Sequence, residues 1–71
     1  MNESPRFFGR RIGKSAEEVY KRWKELGLIE SFRTHNTYGW HITDLGKSLG
    51  GKLSRNGAVP TFDFEKIKHL F

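Results

Sequence analysis

The run IGKSAEEVYKRWKELGLIE, residues 12–30, constrains this chain more than any other stretch. Ser15 followed three residues on by Glu18 has the form of a capping box. The serine oxygen serves an orphan backbone N–H, and the glutamate reaches back to the cap. From Ala16 the apolar residues fall at Val19, Tyr20, Trp23 and Leu26, one stripe of a 3.6-residue helix. Gly27 stands where a left-handed residue usually ends a helix. The spacing predicts a helix over residues 16–26. So short an amphipathic helix is marginal alone, because its stability comes from covering the apolar stripe. The rest of the chain must supply that cover.

With 71 residues, the chain is expected to form one domain, residues 1–71, with a small core. Six Phe and two Trp suit that core, since each aromatic buries a large area. No Cys is present, which excludes a disulfide scaffold and a cysteine zinc site. No apolar run is long enough to span a bilayer. The opening MNESPRFFGRR lacks the apolar stretch of an export signal, so the expected location is cytoplasmic, with no membrane partner.

Around the central helix the other elements are short. Ser4 and Pro5 suggest a helix start, with Pro at the first helical position, and a two-turn helix over residues 5–11. Gly9 argues against that helix, and Gly13 marks its end. Residues 28–34 alternate as a strand, with Leu28, Glu30, Phe32 and Thr34 on one face. A polar loop, residues 35–39, leads to a second strand carrying Trp40 and Ile42 on one side. Together, residues 28–43 predict a hairpin. Thr43 or Asp44 caps one further turn through Leu49. Residues 50–58 are a Gly-rich loop. Residues 60–62 are extended, and Asp63 caps a last helix over residues 63–70. There, Phe62 and Ile67 form a hydrophobic staple, and Phe64, Ile67, Leu70 and Phe71 give an apolar face. The expected class is a small α+β domain.

The net charge of +5 favours polyanions, and its distribution is uneven. Residues 1–14 hold four basic side chains against one acid, residues 15–31 three against four, and residues 32–57 four against one. The positive charge therefore flanks the best helix. Glu17, Glu18, Lys21, Arg22 and Glu25 fall on its outward side, where Glu17–Lys21, Glu18–Arg22 and Lys21–Glu25 are i,i+4 pairs. Helix stability and solubility alone account for that face.

Short helix, tight turn, longer helix and hairpin is the order of a winged helix-turn-helix. The segment FFGRRIGKSAEEVYKRWKELGLI resembles the helix-turn-helix, residues 5–26, of small phage and prophage proteins and of phage antirepressor C-terminal domains. TYGWHITDLGKSLG resembles the second wing strand and the Thr-x-x-Gly that follows it. The resemblance covers about residues 6–49 and leaves the last 20 residues unplaced. It implies a cytoplasmic, phage-type transcriptional regulator or DNA-contacting accessory protein whose partner is duplex DNA. The recognition helix would be residues 15–26, and the wing tip residues 33–39.

Under that implication Arg6, Arg10, Arg11 and Lys14 are candidate phosphate contacts, with few acids nearby to absorb them. Ser15 and the helix N-terminus are candidate phosphate ligands. Lys21 and Arg22 are the base-edge candidates, although two glutamates at the leading end would repel phosphate. Arg33, His35, Asn36 and Thr37 come from the wing tip. Lys47, Lys52 and Arg55 read either as trailing backbone contacts or as a solubilising loop. Trp23 and Trp40 read as core.

An enzyme is not expected. His35, His41 and His69 do not form a three-ligand zinc register. Ser15 has no evident base, and the glycines match no phosphate-loop fingerprint. No cofactor or small-molecule substrate is expected. The competing reading is a protein-interaction module on the same scaffold. It draws on the self-paired acidic face and on Phe7, Phe8, Phe64 and Phe71, more aromatics than one small core needs. A homodimer seamed by the C-terminal helix suits either reading.

Overall fold

The central helix forms between residues 16 and 25, and both its ends follow the local sequence. The computed structural model describes residues 1–55 and 59–70. Its first helix, α1 (Pro5–Ile12), is joined by a three-residue turn to α2 (Ala16–Glu25). Ser15 Oγ accepts from the Glu18 N–H at 3.2 Å, and the Glu18 carboxylate accepts from the Ser15 N–H at 3.4 Å. Gly27 has φ of 75°. Its N–H reaches the Lys24 carbonyl, and the Leu28 N–H reaches the Trp23 carbonyl, each at 3.0 Å. These two bonds are a Schellman closure. It turns Leu28 into the core, where the side chain is fully buried.

Gly9, which argued against α1, is instead what lets α1 pack. A Cβ there would stand 2.4 Å from the Lys14 carbonyl oxygen. The glycine therefore admits the turn against the helix at backbone distance. Ser4 occupies the N-cap position with extended backbone, but its side chain caps nothing. Pro5 at the first position carries the start on its own fixed φ.

Strands β2 (Ile29–Arg33) and β3 (Tyr38–Ile42) form an antiparallel hairpin; β1 is Asn2–Glu3. In the hairpin Ile29 faces Ile42, Ser31 faces Trp40 and Arg33 faces Tyr38. Directly opposed residues share a face, and buried Ile29 and Ile42 mark this one as the core side. Glu30 and Phe32 lie on the solvent side with His41 and Gly39. The alternation expected from Leu28 is thus shifted by one residue. The Schellman turn, not the strand, buries Leu28, and the strand begins at Ile29.

Thr43 caps α3 (Asp44–Ser48), its Oγ1 accepting from the Gly46 N–H at 3.0 Å. The same hydroxyl donates to the Gly27 carbonyl at 2.6 Å. One threonine therefore ties the exit of α2 to the exit of the hairpin. Gly46 completes the junction: a Cβ there would meet the Leu28 carbonyl oxygen at 2.2 Å.

The last 20 residues close the molecule. β5 (Pro60–Asp63) is the middle strand of a second antiparallel sheet, with β1 on one side and β4 (Lys52–Leu53) on the other. The expected loop from residue 50 thus contains a two-residue strand; residues 56–58 of that loop lie outside the described residues, as does Phe71. Asp63 caps α4 (Phe64–Ile67) through the Glu65 N–H, and a 3-10 turn, Lys68–Leu70, follows. Phe62 and Ile67, the expected staple pair, are both fully buried. The core comprises Phe8, Val19, Trp23, Leu28, Ile29, Ile42, Phe62 and Ile67. Trp23 holds its centre, edge-on to Phe8 at 5.1 Å and to Phe62 at 4.8 Å. Among the described residues four α-helices and two antiparallel sheets thus make a small α+β fold. Among the described residues no helix is long and apolar enough to cross a membrane.

Candidate nucleic-acid interface

Tyr20 and Trp40 position the hairpin against α2. Their rings stack with centroids 5.2 Å apart and planes 21° from parallel. Both are half-buried and pack against the core. Trp40 is therefore the link between helix and hairpin rather than a residue of the core centre. Lys24 lies one helical turn beyond Tyr20. With Ser31, Glu30 and Thr43 it lines a hollow at the hairpin's base. Further out on the core-side face of the hairpin comes the exposed pair Arg33 and Tyr38. The turn beyond them is closed by the Thr34 N–H and hydroxyl, which both donate to the Thr37 carbonyl, at 2.7 and 3.2 Å. His35, Asn36 and Thr37 are exposed at this tip.

The basic candidates divide into two groups. Arg6, Arg10, Lys21 and Arg33 make no ion pair among the described residues, and neither does Lys24, a position that the sequence reading passed over. Its signal was available: i,i+4 spacing from Tyr20 puts it beside whatever Tyr20 packs on. Arg10 lies over the exposed Phe7 ring at 5.3 Å, a contact that leaves its charge uncompensated.

The other group is engaged. Arg11 donates to Glu3 at 2.6 Å and lies over Phe64 at 5.2 Å. The expectation that few acids stand near the N-terminal cations fails here, because β1 folds back and delivers Glu3. Lys14 lies 3.8 Å from the Glu18 carboxylate. The i,i+4 pairs expected along α2 are not among the ion pairs of the described residues. Instead, Arg22 turns to the C-terminal segment and donates to the Leu70 carbonyl at 3.1 Å. Ser15 is occupied by the capping box, and the Glu18 carboxylate on its N–H leaves little attraction for a phosphate.

The Glu18 carboxyl titrates below its ordinary range. The main cause is its backbone hydrogen bond from Ser15, and the Ser15 hydroxyl and Lys14 add to it. Asp63 is lowered by the Glu65 N–H first and the N-terminal amine second. On the outer face of the hairpin His41 Nε2 lies 2.9 Å from Glu30, which occupies the acid nearest the tip. Lys47 and Lys52 share a separate hollow with His41, away from α2. Among the described residues no three His, Asp or Glu side chains group as metal ligands. Comparison with protein-family models, with curated proteins and with solved structures gave no match.

Proposed function

We propose that this chain is a small DNA-binding module of the winged helix-turn-helix type. In this reading α2 and the β2–β3 hairpin contact duplex DNA together, as a phage-type regulator or as the DNA-contacting part of a larger complex. The observation that carries it is the Tyr20–Trp40 stack. It fastens the hairpin beside a helix whose Lys21 and Lys24 make no ion pair among the described residues, and the hairpin carries Arg33 onward. Lys21, Lys24, Arg33, His35, Asn36 and Thr37 are the proposed contacts, with Arg6 and Arg10 as flanking phosphate ligands. Arg11, Lys14, Ser15 and Arg22 carry less weight, because each already has a partner within the fold. Affinity comes chiefly from counterions released as lysine and arginine meet phosphates, and no catalytic step is involved.

The test is an amide-shift titration of the labelled chain with a mixed-sequence duplex. Shifts at Lys21, Lys24, Arg33 and the tip residues support the proposal; an unmoved spectrum at low salt overturns it. One observation favours a second reading, docking of a protein. Phe7 is half-exposed and lines a hollow with Met1, Phe64 and Asp63. Shifts confined to that hollow on adding a protein ligand would select the second reading.

A further inference from the structure

Two large aromatics stand exposed on the hairpin, and among the described residues only one has a ring partner. Phe32 is 41% exposed, but its ring covers Gly39, lying 3.0 Å from where a Cβ would be, and it touches the His41 ring. Tyr38 is 79% exposed and has no ring contact among the described residues. It lies directly opposite Arg33, on the face where Trp40 and Tyr20 stack. Leaving such a ring in water forgoes the burial that aromatics usually supply.

The surroundings of Tyr38 are those of a base-stacking platform. Residues 31–40 contain no Asp or Glu, and the nearest acid along β2, Glu30, is held by His41. Arg33, opposite Tyr38, offers donors and positive charge, and His35 and Asn36 are exposed in the adjoining turn. A rigid ring beside a cation stacks on any base and tolerates sequence change. In a closed duplex a base face is reached only by opening a step.

We propose that Tyr38 stacks on a nucleobase at a locally unstacked step, with Arg33 holding the adjacent backbone. The module would therefore prefer a duplex with an interrupted stack over a fully paired one. This rests on the DNA-binding reading above and adds a substrate preference to it.

The experiment compares the full chain binding to a fully paired duplex and to the same duplex with a one-nucleotide gap. The wild type is expected to bind the gapped duplex on the order of tenfold more tightly. Tyr38→Ala should remove that preference and Tyr38→Phe should keep it. Tyr38 proton resonances should move upfield on binding the gapped duplex. Equal affinity of the wild type for the two duplexes, or a preference that survives Tyr38→Ala, overturns this inference and leaves the DNA-binding reading standing. Failure to bind either duplex overturns both.

Discussion

Thr43 Oγ1 donates to the Gly27 carbonyl at 2.6 Å while accepting from the Gly46 N–H. The exit of α2 and the exit of the hairpin are thereby fixed to one another, and the Tyr20–Trp40 stack fixes them again from the side. Two independent fastenings at different points define an orientation. This is how a chain of this size holds a flexible-looking hairpin against a helix.

Loosening the lateral fastening should release the hairpin before the rest of the fold. Tyr20→Ala is expected to lower stability by about 2 kcal/mol, from lost burial and lost ring contact. Amide exchange should speed up at residues 29–42 well ahead of residues 5–12. Uniform acceleration would mean that the stack does not set the hairpin's position.

The junction at Gly46 predicts a large effect from a small change. Gly46→Ala places a Cβ against the Leu28 carbonyl and Ile42. The backbone must move, at a cost of roughly 1–3 kcal/mol. Chemical denaturation measures it. A neutral result would show that α3 can lift away freely.

The N-terminal arginines should separate in function. Arg10→Gln is expected to leave the unfolding midpoint where it is and to shallow the salt dependence of DNA binding by about one unit of slope. Arg11→Gln should do the reverse, because it breaks the contacts with Glu3 and Phe64. Circular dichroism melting and binding isotherms on the two variants decide it.

Acid should weaken the fold in a defined window. Glu18 and Asp63 lie below their ordinary values of 4.5 and 3.8 when folded. A carboxylate lowered on folding stabilises the fold above its unfolded pKa, and this contribution is lost as pH falls through the folded value. Melting temperature should therefore hold at neutral pH and drop as pH falls below about 4.5. Glu18→Gln with Asp63→Asn should flatten that acid limb.

Much of this architecture was legible in the residues. Ser15, Glu18 and Gly27 delimit α2 because caps and closures are local chemistry, and Val19 and Trp23 are buried as their spacing requires. The remainder depends on contacts distant in sequence. Nothing near residues 2 and 3 announces that they pair with residues 62 and 63, so the absorption of Arg11 by Glu3 stayed hidden. The alternation starting at Leu28 misled because a turn and a strand both bury apolar side chains. Arg22 does lie exposed on the outward side, but the helix wheel does not show the C-terminal turn whose Leu70 carbonyl accepts its hydrogen bond. At the candidate interface, the tip residues are visible from the hairpin pattern; the spacing of Lys24 from Tyr20 is equally visible, but that Tyr20 packs on the hairpin through Trp40 is a contact distant in sequence.

The most direct test of a DNA-contacting surface on α2 and the hairpin is wild-type affinity for duplex DNA measured across salt concentration. With about five phosphate contacts, log affinity should fall against log salt with a slope near −4 to −5. Absence of binding at low salt, or affinity that ignores salt, would contradict it.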